Sequence, residues 1–206
     1  MSPNPTLKKL GFSPNDRVAI IHCDDIGLCQ ASVSAFSDLW EFGLITSGAT
    51  MLPCAWAMEA AALCQKTPQV DMGVHLTLTS EWPTYRWSPL STRDPASGLL
   101  DPQGFFYHTT AQAQAHGDPQ AVRRELQTQI DHAIANGITP THIDTHMGTV
   151  AHPKFIPSYF QLALQYKLPP MFMRLDEAGW RNLGYDAATA SLAAQLVNQL
   201  EAAGIP

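Results

Sequence analysis

Three short stretches hold the side chains best suited to catalysis. His22-Cys23-Asp24-Asp25 sets two carboxylates side by side directly after an apolar run at 18–21. Adjacent carboxylates at a strand end repel one another unless something cationic shares them, so the pair suggests a metal or a tuned general base. The plainer alternative is a solvated turn or a helix N-cap. Gly73-Val74-His75-Leu76-Thr77 places a histidine inside an apolar strand, where the ordinary role is a hydrogen-bonded core residue. In Thr141-His142-Ile143-Asp144-Thr145-His146, the two-residue period of a strand puts His142, Asp144 and His146 on one face. Burying three polar groups costs free energy unless they pair or bind a cation. Together the stretches offer one carboxylate and two imidazoles from three strands, the ligand set of a catalytic divalent metal with open positions. The second carboxylate of the pair can then act as base on a water there.

The elements that must carry these groups alternate short β-branched runs with longer helical periods, as β-α units around a mostly parallel sheet do. Strands are expected at 17–23, 46–52, 70–78 and 138–145, and a short extended segment at 169–175. Helices are expected at 30–42 with Gly43 as stop, at 55–65 ahead of Pro68, from Asp118-Pro119 to Asn136, at 155–166 and at 187–203. Each chemical stretch then falls at the C-terminal end of a strand, where catalytic groups gather in parallel α/β folds. Residues 80–118 are too long for an ordinary connection and hold Trp82, Tyr85, Trp87, Phe105, Phe106 and Tyr107. They read as an ordered flap over the site; the alternative is that the rings only pin the loop to the core.

The chain has 206 residues, enough for one full core and at the lower edge of barrel lengths. Lysines and arginines number 12 against 18 aspartates and glutamates, a net charge of −6 with no basic run, which argues against nucleic acid as a partner. No apolar h-region follows Lys8 and Lys9, and no apolar stretch is long enough to span a membrane. Cys23, Cys29, Cys54 and Cys64 form no C-x-x-C pair and read as reduced thiols, so a cytoplasmic protein is expected.

The runs at 20–28 and 45–47 with Met51, then 73–78 and 140–146, resemble the YdjC-type carbohydrate deacetylases, which include chitooligosaccharide and hopanoid-biosynthesis deacetylases. The likeness runs from Arg17 to Arg174 in order and spacing. It implies an α/β fold, an irregular (β/α) barrel with mostly parallel strands, TIM-barrel-like, which would be incomplete if this chain lacks the closing strand. It also implies hydrolysis of an N-acetyl group from an amino sugar or oligosaccharide, releasing acetate. Matched position by position, Asp25, His75 and His146 would bind one divalent metal, Mg or Zn first among Mn and Co, and Asp24 would be the general base. His142 and Asp144 would orient His146 from behind. Trp82 and Tyr85 are expected to stack on the sugar, and Arg174 is a further substrate-binding candidate.

Two departures from the family matter. Gly148 and Val150 stand where further histidines often follow, and the closing strand with its His-Pro-Gly motif has no counterpart before Pro206. On that reading the chain is one domain without the family's last strand, and His142 or His108 would substitute as proton donor. Apolar surface left by the absent strand would invite a homodimer. The alternatives are a non-catalytic or weakly active sugar- or metal-binding barrel and, less well supported, a metal-dependent phosphoesterase.

Overall fold

The structure, a computed structural model, describes residues 5–13 and 15–205; the readings that touch residues 1–4, 14 and 206 lie outside the described residues. The chain opens with α1 (Pro5–Lys9) and enters β1 (His22–Ile26). The strand begins later than the apolar run because Val18 and Ile20 are exposed, and pairing starts only where Thr46 donates its N–H to Ile21 O. The strand therefore runs through the polar stretch instead of ending on it.

From β1 the chain passes through α2 (Gln30–Phe42), β2 (Ser47–Thr50), α3 (Ala57–Lys66) and β3 (Met72–Leu76). Helix α2 ends as its sequence dictates, with Gly43 left-handed at φ 80 and its N–H bonded to the last turn. After β3 come α4 (Thr110–His116), α5 (Pro119–Ala135), β4 (Ile143–Thr145) and α6 (Ile156–Tyr166). Asp118 caps α5 by accepting from the N–H groups of Gln120 and Ala121, with Pro119 at the first helical position. Strand β4 is shorter than its 138–145 expectation because Pro140 has no N–H to give; the first ladder bond is Thr141 N–H to Met72 O.

Among the described residues the four strands are parallel and adjacent in chain order, β1-β2-β3-β4, so each unit adds on the same side of the last. The α/β class with parallel strands is as expected. Pro170 bridges Ile143 in parallel, which lays the start of the 169–175 segment beside β4. Phe36, Met51, Met72, Leu76, Leu126, Ile130, Ile143 and Leu162 are fully buried between sheet and helices.

Residues 80–118 are ordered. Trp87 and Phe106 are buried, and Arg86 binds Ser80, Asp101, His108 and the Phe106 carbonyl. From α5, buried Glu125 accepts from the N–H groups of Leu90 and Ser91, while Gln129 bonds both backbone groups of Thr77. Sequence periodicity misses α4 because its capping signal, Thr109 accepting from Gln112 N–H, serves a helix of only seven residues.

Residues 21–171 form one compact unit, and the described residues before and after them form a second. The second unit holds α7 (Glu177–Asn182) and α8 (Ala187–Ala202), where Trp180, Ala190 and Ala193 pack with Phe172 and Leu175. Among the described residues no helix is long and apolar enough to cross a membrane.

Candidate active site

The C-terminal ends of β1, β3 and β4 bring the three chemical stretches together. On β1 the ladder with β2 is irregular between Cys23 and Ile26, and within that bulge Asp25 takes the left-handed conformation at φ 60. In a regular strand two consecutive side chains point to opposite faces; a bulge re-aims them. Both Asp24 and Asp25 consequently place carboxylate oxygens within reach of His75. A left-handed aspartate costs backbone energy and persists where surrounding contacts enforce it, a pattern common at functional sites.

Asp25 Oδ1 lies 3.2 Å from His75 Nε2 and 3.0 Å from His146 Nδ1, and both imidazoles are buried. Each imidazole donates from its other nitrogen to a second carboxylate: His75 Nδ1 to Asp144 Oδ1 at 2.7 Å, and His146 Nε2 to both oxygens of Glu81 at 3.1 Å. This backing is typical of metal-binding histidines, because it fixes the tautomer and aims the remaining nitrogen. The separations at Asp25 suit a shared proton or a shared cation equally well.

Among the described residues two other groupings bring potential ligand atoms within 4.8 Å of one another: His22, His142 and Asp144, and Asp24, His75 and Asp144. Neither fits a cation as well. Both draw on Asp144, whose two oxygens already accept from His22 and His75. His142 is neutral: Thr141 donates to Asp71 and so accepts from His142 Nδ1–H, leaving Nε2 a buried lone pair without a partner. Burial, ahead of any charge effect, keeps that imidazole below its ordinary pKa.

The electrostatics follow the carboxylate count. Burial opposes charge on His75, but its bonds to Asp144 and Asp25 outweigh burial and lift it to about 10. Burial works upward on Asp25, yet the bonds from His146 and His75 hold it well below the usual carboxylate range. Asp144 and Glu81 behave likewise, each depressed by its histidine partners against the pull of burial, and His146 is raised by Asp25 and Glu81. Asp24 is the open member of the cluster, 61% exposed, with Oδ1 3.3 Å from His22 Nε2.

The structure places the other expected residues as follows. Asp144 does not orient His146; it is the register partner of His75 across β3 and β4 and serves that residue, because His146 lies beyond the strand end. His142 likewise turns its Nδ1 to Thr141, with its ring over Gly73. Tyr85 has its hydroxyl engaged, donating to Leu28 O and accepting from Ala55 N–H, with its ring against Trp82. Trp82 is exposed. Arg174 lies in the second unit and pairs with Glu201. His108 Nε2 accepts from Arg86 Nη1 at 2.7 Å. Sequence reasoning missed Glu81 and His22. Glu81 sits at the start of an aperiodic segment, and its only signal is its position just after the β3 histidine strand; His22 adjoins the carboxylate pair, but its bond to Asp144 joins residues far apart in sequence, which no local pattern encodes.

A family model described as YdjC-like protein matches residues 18–205. The chain is 38% identical over 165 residues to a carbohydrate deacetylase of Thermus thermophilus, covering 80% of this chain and 56% of that protein. It is 28% identical over 158 residues to a carbohydrate deacetylase of Thermoanaerobacter pseudethanolicus, covering 77% and 61%. A crystal structure of a candidate cellobiose-phosphate cleavage protein from Enterococcus faecalis V583 superposes with a TM-score of 0.67 at 27% identity, covering 73% of this chain and 57% of that one. The chain thus spans little more than half the length of these relatives.

Proposed function

The chain belongs to the YdjC-like family, and from that premise we propose that it hydrolyses the N-acetyl group of an amino sugar or oligosaccharide, giving acetate and a free amine. The observation that carries this reading is the convergence of Asp25 on His75 and His146, with a separate carboxylate behind each imidazole. These three side chains would hold one divalent cation, Mg or Zn being the expected ones. When bound, it supplies Lewis acidity to the acetamide carbonyl and acidity to water.

The chain's own residues do the rest. Asp24, exposed beside this cluster, removes a proton as water attacks the carbonyl carbon. The carbon–nitrogen bond then breaks, and the nitrogen leaves with a proton that Asp24 returns. His142 Nε2 is buried and His108 is tied to Arg86, so Asp24 is better placed than either for that return. Trp82 offers an exposed ring face on which a sugar can stack.

The test is acetate release from N-acetylated chitooligosaccharides by the cation-loaded protein and by Asp24→Asn. Loss of about a hundredfold or more in kcat is expected for removal of a general base. Undiminished release by the variant would remove Asp24 from the mechanism. Cation binding without acetate release from any acetylated sugar would favour a non-catalytic binding protein.

A further inference from the structure

His22 links the proposed base to the support of a proposed ligand. Its Nε2 lies 3.3 Å from Asp24 Oδ1 and 3.1 Å from Asp144 Oδ2, and the other oxygen of Asp144 accepts from His75. A proton inventory sets its charge. Ser47 donates its hydroxyl proton to Asp71 Oδ1 at 2.9 Å and therefore accepts from His22 Nδ1 at 3.1 Å. Both groups facing Nε2 are carboxylates, which accept only. With N–H groups required on both sides, His22 is an imidazolium.

The ring is also held in place. His142 meets it edge-on with centroids 5.1 Å apart, and His142 in turn lies over Gly73, where a Cβ would come within 2.3 Å of its Nε2. His22 is thus a cation clamped in one orientation, with one N–H directed between two carboxylates.

We propose that His22 is a positioning residue for the deacetylation: its shared N–H fixes Asp24 in register with His75, through Asp144. The proposal rests on the reading of Asp24 as base. His22 touches no reacting atom; it sets where the base stands relative to the cation ligands.

The test compares His22→Ala, His22→Gln and His22→Met, alone and with Asp24→Asn. Glutamine and methionine have similar length, and only glutamine can donate to the two carboxylates. In His22→Ala and His22→Met kcat should fall about 10- to 100-fold, the usual range for groups behind a metal site, with KM changed less than about threefold. His22→Gln should recover most of that loss. Affinity for Zn2+, measured by chelator competition without substrate, should weaken severalfold in His22→Met and recover in His22→Gln. Adding Asp24→Asn to His22→Met should cost little beyond Asp24→Asn alone, because the two act as one unit. Should His22→Ala fail to fold, the glutamine and methionine pair carries the comparison. An inactive Asp24→Asn beside a fully active His22→Met with unchanged Zn2+ affinity would overturn the proposal. A fully active Asp24→Asn would instead overturn the reading of the base, whatever His22 does.

Discussion

His75 and Asp144 face each other as register partners on β3 and β4, and their side chains meet at 2.7 Å between Nδ1 and Oδ1. Both are buried, so the bond is made where an unpaired partner would be costly. It leaves His75 Nε2 directed at Asp25. One sheet contact thereby sets the aim of a proposed cation ligand.

Asp144→Asn should weaken Zn2+ or Mn2+ affinity by about 10- to 100-fold, because the amide can no longer accept equally from His75 and His22. Isothermal titration of the chelator-stripped protein measures it. Affinity equal to the parent would show that Asp144 does not aim His75.

Glu81→Gln should act the same way through His146, but less strongly, since Glu81 is partly exposed and its neighbour can recruit water. An affinity loss smaller than that of Asp144→Asn, with unchanged melting temperature, is the expected result. A loss exceeding that of Asp144→Asn would indicate that Glu81 itself touches the cation.

Gly73→Ala adds a Cβ where His142 Nε2 stands 2.3 Å away, so the imidazole must shift from its place beside Thr141 and His22. Overpacking of this kind costs roughly 1–3 kcal/mol. Thermal unfolding should show a lowered midpoint, and pairing the change with His142→Ala should restore most of it.

The bonds from His22 to Asp144 and Asp24, opposed only by partial burial, raise its folded-state pKa to about 9 against an ordinary 6.5. A raised pKa contributes stability that is fully present below about pH 6.5 and lost as pH rises through about 9. In chelator-treated protein, the melting temperature of the parent should exceed that of His22→Gln most at pH 6 and least at pH 9.5. A difference constant across that window would contradict a charged His22.

The ligand candidates were visible in the sequence because each is a polar residue breaking an apolar strand: Asp25 after 18–21, His75 between Val74 and Leu76, and His146 beyond Ile143. Helices α2 and α5 were visible through Gly43 and Asp118-Pro119, local signals that need no partner. Pairings were not. That Asp144 serves His75 depends on the register of β3 against β4, which no local pattern encodes, and the expectation that it serves His146 failed for that reason. The bulge that turns Asp24 and Asp25 toward one histidine is likewise a property of the β1–β2 ladder. Glu81 reaches His146 from an aperiodic segment whose course is set by Glu125 and Gln129 on α5.

The measurement that bears most directly on the proposed cation-dependent deacetylation is acetate release during a cation titration. Protein stripped with a chelator should release no acetate from N-acetylated chitooligosaccharides, and activity should return with one equivalent of Zn2+ or a saturating level of Mg2+. His75→Ala should stay inactive across the same titration. Release that persists undiminished in excess chelator, or full recovery by His75→Ala at the parent's cation concentration, would contradict the account.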